Sequence, residues 1–166
     1  MDRASPAARA VRRRAAIVRA LRSAVAADPS LHEARLRLGR VAWKLGEEAE
    51  ARSILRDVLD RKPEPPTALL AHLFVGRLDE EAGRLEEAAR SYEAALALDE
   101  TVQSARVALS HVRLRRGDSA SARAQVETAL SFSGLRPEPD PFWLYPWGPS
   151  VGVEERLEAL RLEASP

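Results

Sequence analysis

The sequence contains no cysteine and no asparagine, a single methionine, and aromatic residues at only 5%. Without cysteine there are no disulfides, no thiolate metal sites and no cysteine nucleophile, and nothing is learned about redox compartment. β-Branched residues are sparse beside alanine, leucine, arginine and glutamate, a composition that favours helix over strand. No apolar run approaches the roughly 20 residues needed to cross a bilayer. The first 29 residues are basic but lack the uninterrupted apolar core of a signal peptide. The expectation is a cytoplasmic protein, or one whose targeting segment has been removed.

Excess charge of one sign is also missing. The 166 residues carry a formal net charge of +1, so the chain as a whole has no electrostatic footprint for nucleic acid or anionic membrane. Its distribution is uneven: residues 1–31 hold seven arginines against Asp2 and Asp28, while residues 137–166 hold six acids against Arg156 and Arg161. Lysine occurs twice against 24 arginines, which a GC-rich coding sequence explains without a binding task.

Catalytic candidates are few. His32, His72 and His111 share no ligand spacing such as i, i+4 on one helix, and no metal site is expected. The acidic groups Glu47-Glu48, Asp79-Glu80-Glu81 and Glu86-Glu87 fall near helix ends, where solvated charge is the ordinary explanation. Glycines come one per turn with no phosphate-cradling loop, and no nucleophile has a base at hand. The expectation is no enzyme and no cofactor.

Periodic punctuation is what the chain does have. Pro29 and Pro63 lie 34 residues apart, each closing a helical run; a third run, Ala95-Leu96-Ala97-Leu98-Asp99-Glu100, has the same form without the proline. Gly46, Gly83 and Gly117 mark turns at similar spacing. Between them stand Leu38-Gly39, Ala51, Leu55; then Val75-Gly76, Ala88, Tyr92, Ala95; then Leu109-Ser110, Ala122, Val126, Ala129.

This pattern resembles the tetratricopeptide repeat (TPR), whose units are 34-residue helical hairpins with small residues at fixed places. The resemblance implies an all-α, right-handed superhelix of stacked antiparallel helix pairs. Residues 1–136 form the array, with a leading half-repeat at 6–29 and full repeats at 32–65, 69–102 and 103–136. The large residue usual near the start of the first helix is absent, its place taken by Arg35, His72 and Arg106. Small residues at Gly39, Gly76 and Ser110 are expected to face Ala51, Ala88 and Ala122, with Leu55, Tyr92 and Val126 filling the gap to the next repeat. The extra residues around Pro63-Glu64-Pro65-Pro66 lengthen one loop, and Thr67 is placed to cap the helix that follows.

The family also implies a concave groove lined by the first helix of each repeat. The equivalent positions are Glu33, Leu36, Arg40, Trp43 and Lys44; Leu70, Leu73, Arg77, Glu80 and Glu81; and Ser104, Val107, His111, Leu114 and Arg115. An apolar stripe of Leu36, Leu73 and Val107 runs beside a basic one of Arg40, Arg77 and His111. That combination suits an extended peptide or protein segment with apolar anchors and an acidic group. The co-chaperone version of such a groove uses lysine and asparagine, and its activity is not expected of a chain without asparagine.

Beyond residue 136 the repeat stops. Residues 137–150 are rich in proline and hold Phe142, Trp143, Tyr145 and Trp147, half of the eight aromatics in the protein. Proline at this density excludes a continuous helix and a central strand. Two placements are open: packing on the end of the last repeat as a cap, or lying as a ligand-like strap in the groove or a docking patch for a partner. Val153, Leu157, Leu160 and Ala164 recur at helical spacing, so residues 151–166 read as a solvating cap helix.

Three functional classes follow. One is a non-catalytic adaptor or scaffold binding a protein or peptide in the groove. Another is a structural subunit docked through the aromatic segment or the convex face. The third, nucleic-acid contact through the arginine-rich first helix, lacks interleaved aromatic platforms and is the weakest.

Overall fold

The structure is a computed structural model, and it describes residues 6–132 together with residues 140, 142 and 145. Among them are seven helices and no strand: α1 Pro6–Ala27, α2 His32–Lys44, α3 Glu48–Asp60, α4 Pro65–Glu81, α5 Leu85–Leu98, α6 Gln103–Arg115 and α7 Ser119–Ser131. The predicted cap helix over 151–166 lies outside the described residues.

The helices pair as α2–α3, α4–α5 and α6–α7, each hairpin stacks on the next, and α1 packs on α2. The three hairpin turns are built alike. Gly46, Gly83 and Gly117 have φ of 79°, 75° and 84°, a left-handed conformation that costs other residues a close approach of Cβ to backbone. The residue after each glycine donates its N–H five residues back, Glu47 to Ala42, Arg84 to Asp79 and Asp118 to Arg113, closing the helix end.

Connections between hairpins have their own chemistry. Asp28 accepts from the N–H and hydroxyl of Ser30 before α2, and Asp99 accepts from those of Thr101 before α6, the same turn in both places. Before α4 the chain differs from expectation. Thr67 caps nothing: Glu64 is extended at ψ 149°, as the residue before a proline must be, and Pro65 and Pro66 occupy the first helical positions, where a missing N–H breaks no bond.

The core runs through the hairpins on Leu36, Leu55, Val58, Phe74, Leu78, Tyr92, Leu109 and Val112, all essentially without exposed surface. Full burial of one such side chain is worth roughly 1.5–3 kcal/mol. The small residues of the first helices accommodate something larger than expected. A Cβ on Gly39 would lie 2.8 Å from Leu55, and one on Gly76 would lie 2.6 Å from the Tyr92 ring. Leu55 and Tyr92 therefore fill the hollow within their own hairpins, where the alanines had been expected. Val126, the third of the series, is 41% exposed.

The residues standing in for the family's large side chain also find work. Arg35 is buried, with Nε 2.8 Å from Asp57 and Nη1 donating to the Pro29 carbonyl, so it ties α2 to α3 and to the preceding turn. The Arg106 guanidinium lies 5.4 Å from the Phe132 ring centroid.

Candidate functional site

Helices α2, α4 and α6 lie side by side and line a groove of about 550 Å³. Its apolar surface comes from Leu73, Phe74, Val107 and Ala108, and its basic groups are Arg40, Lys44, Arg77 and His111. Trp43 packs at one edge, 6.2 Å from the Phe74 ring, and its indole N–H donates to Glu81 at 2.9 Å. Lys44 lies over the Trp43 ring.

The expected apolar stripe is not a surface. Leu36 has no exposed area and belongs to the core cluster; it does not line the groove. Leu73 is nearly covered, and only Val107 is open. Arg115 is likewise turned away from the groove lining and donates to the Glu80 carbonyl at 3.1 Å. Of the groove residues named from the sequence, Arg40, Trp43, Lys44, Leu73, Arg77, Glu81, Ser104, Val107 and His111 come together there.

What covers the apolar floor is the chain's own C-terminal segment. Phe142 and Tyr145 lie 6.0 and 5.4 Å from the Phe74 ring, Tyr145 edge-on, so the three aromatics form one cluster. The Arg40 guanidinium lies 5.1 Å from the Tyr145 ring and 5.6 Å from Phe74, and Arg37 lies 5.9 Å from Tyr145. The Tyr145 hydroxyl donates to Glu33 at 3.1 Å. Burial, and then the Glu33 charge, push the Tyr145 phenol above its usual pKa, so it stays a donor. Burial pulls the Arg40 guanidinium down from its usual value.

Asp140 anchors the start of this segment. Its carboxylate is buried and accepts from the Ser104 N–H at 2.8 Å and the Ser104 hydroxyl at 2.9 Å, in the first turn of α6. That is where a helix has unpaired N–H groups and favours negative charge. The same carboxylate accepts from the Phe142 N–H at 3.0 Å, which sets the turn leading into the groove. Trp143 and Trp147, named with Phe142 and Tyr145 from the sequence, lie outside the described residues.

The acidic run of α4 is a correction to the sequence reading. Asp79 and Glu80 are buried at 0% and 2% exposure, not solvated. Asp79 faces the outer layer, accepting from Arg52 Nε at 2.6 Å and Arg84 Nε at 2.9 Å. Glu80 faces inward, accepting from the Tyr92 hydroxyl at 2.8 Å and pairing with His111 Nδ1. Burial and the Glu80 charge raise the Tyr92 phenol well above its usual pKa, so it too remains a donor. These two acids brace the wall on which Arg77 and His111 stand.

Phe74, Ala108, Arg37, Tyr92 and Asp140 are contributors that sequence reasoning did not assign to the groove. Phe74 had a signal in being the only aromatic of α4. Asp140 had none, since its partner is a backbone N–H 36 residues away. Among the described residues no cluster of three histidine or acidic side chains could hold a metal ion, and no helix is long and apolar enough to cross a membrane.

Comparison with known proteins agrees with this architecture. Residues 8–73 match the family model of the tetratricopeptide repeat. Among solved structures, a crystal structure of MamA aligns with a TM-score of 0.62 at 23% identity, covering 69% of this chain and 66% of that one. A second MamA structure aligns at 0.62 and 22%, covering 70% and 62%. MamA residues 41 to the end from Desulfovibrio magneticus RS-1 align at 0.62 and 19%, covering 73% and 67%. The chain thus spans slightly less than two thirds of the first two structures. Comparison with curated proteins finds no match. The fold is the tetratricopeptide type, an all-helical superhelix of stacked helix pairs.

Proposed function

We propose that this tetratricopeptide-repeat chain is a non-catalytic adaptor whose groove binds an extended segment of a protein partner. The observation that carries the reading is the seating of Phe142 and Tyr145 on Phe74: the groove takes up side chains from a segment remote in sequence. An extended segment laid along α2, α4 and α6 meets apolar surface at Phe74 and Val107 and cations at Arg40 and Arg77. Apolar anchors beside an acidic group are the chemistry that such a surface rewards.

Peptides selected on the chain from a random phage-displayed library test this. Replacing Arg40 and Arg77 together by glutamine should weaken the selected peptides at least about tenfold, since a charge-assisted hydrogen bond is worth roughly 1.5–3 kcal/mol. Glutamine avoids placing new negative charge beside Glu80 and Glu81. Unchanged affinity in a variant of unchanged melting temperature would remove the groove from consideration.

A further inference from the structure

The contacts of Asp140, Phe142 and Tyr145 are specific enough to be read as a recognition pattern. The carboxylate site at Ser104 supplies two donors, a backbone N–H and a hydroxyl, to a buried acid at the start of α6. A neutral amide in that place offers one oxygen and brings two N–H groups that need acceptors of their own. Two residues later an aromatic ring is delivered to Phe74. Three residues beyond, a ring fits between Phe74 and the Arg37–Arg40 pair, with a hydroxyl that meets Glu33. Each of the three subsites therefore prefers one kind of side chain: an acid, an aromatic, a tyrosine.

We infer that the groove recognises a protein segment carrying a carboxylate, an aromatic two residues further on and a tyrosine three residues beyond that. Asp140, Phe142 and Tyr145 hold this place in the free chain until such a segment displaces them. The inference rests on the groove reading above and adds to it the chemistry of the partner. An intramolecular ligand acts at an effective concentration that reaches about the millimolar range for short flexible links. The partner's apparent affinity falls by the fraction of molecules in which the groove is open. A partner segment longer than this pattern can offset that disadvantage at Val107, Arg77 and His111, which line the groove next to Phe142 and Tyr145.

The test uses a fluorescent peptide with the sequence of residues 138–149, titrated by anisotropy against the full chain and against the full chain with Asp140, Phe142 and Tyr145 all changed to alanine. The peptide should bind the triple variant, and bind the unaltered chain at least about tenfold more weakly. Changing the peptide's own aspartate to asparagine, or its tyrosine to phenylalanine, should each cost about tenfold against the triple variant. If both altered peptides bind as well as the original, the pattern is wrong while the groove remains a binding surface. If the peptide fails to bind a helical triple variant that still takes up library-selected peptides through Arg40 and Arg77, the inference falls alone; if neither binds, both readings fall. Concentration-dependent dimerisation of the unaltered chain that the triple substitution abolishes would make a second copy the occupant and overturn it as well. Should the triple variant lose its helical signal, Asp140→Asn alone carries the same measurements.

Discussion

The middle hairpin α4–α5 and the last hairpin α6–α7 close through the same glycine turn, with Gly83 and Gly117 in matching conformations. Behind the turn they differ. In the middle hairpin Gly76 lets the Tyr92 ring sink to 1% exposure, where its hydroxyl meets Glu80. At the same places 34 residues on stand Ser110, Val126 and Leu114; Val126 and Leu114 are exposed, and the Ser110 hydroxyl turns back to its own helix at the Val107 carbonyl. The turn sets the local geometry, whereas burial depends on neighbours: among the described residues the middle hairpin has a hairpin on each side and the last has one on a single side. In a stacked array each unit is held by its own packing and by its interfaces, so stability concentrates in the unit flanked twice.

The largest test of that contrast is to remove the side chain that fills each hairpin. Tyr92→Ala should cost about 3–5 kcal/mol, since it empties a closed site and leaves Glu80 without its hydroxyl donor. Val126→Ala should cost less than about 1 kcal/mol, because much of that side chain already meets water. Urea unfolding of both variants at one pH measures the difference. Equal losses would mean the two hairpins are held by the same forces.

A smaller effect comes from the residues beneath. Gly76→Ala would press a methyl against a ring that is buried and fixed at its hydroxyl, costing about 1–3 kcal/mol by overpacking. Ser110→Ala should stay within about 0.5 kcal/mol, because the hydroxyl bonds only its own helix and alanine is the better helix former. The pair, read by the same unfolding curves, separates close packing from the general intolerance of helices to substitution. A destabilisation at Ser110 as large as that at Gly76 would contradict the contrast.

Legibility in the sequence follows the same division between local and non-local causes. Gly46, Gly83 and Gly117 could be read directly, because a left-handed turn is a demand that one residue type meets by itself. The hairpin order followed from their spacing. Leu36 was misread as groove surface because periodicity identifies the apolar face of a helix but not which neighbour covers it. Asp79 and Glu80 were misread because an acid near a helix end is usually solvated. Their burial depends on Arg52 from the preceding hairpin and on Tyr92 and His111, 12 and 31 residues further on. The aromatic segment was conspicuous by composition, yet the choice between end cap and groove needed the meeting of Asp140 with Ser104, which no spacing announces.

The smallest effect turns on a titration at a matched position where only one of the two hairpins carries a histidine. His72 in α4 occupies the place held in α6 by Arg106, which stays charged at all ordinary pH. Burial lowers the His72 pKa from its ordinary 6.5, so the folded chain holds that proton less tightly than the unfolded one. The unfolded state therefore takes up the proton first as pH falls, and stability declines from about pH 6.5 downward until the folded state is protonated too. The hydrogen-bonded aspartates Asp28, Asp57 and Asp118 work in a separate window. Their pKa values are lowered from 3.8, so the stability they contribute is present above that value and is lost only in stronger acid. Subtracting the stability of His72→Gln from that of the unaltered chain removes what the two have in common. The difference should be constant above about pH 7 and decline toward about pH 5. A difference that stays flat across the interval would mean that His72 is as well solvated in the folded chain as in the unfolded one, and the middle hairpin would lose that distinction from the last.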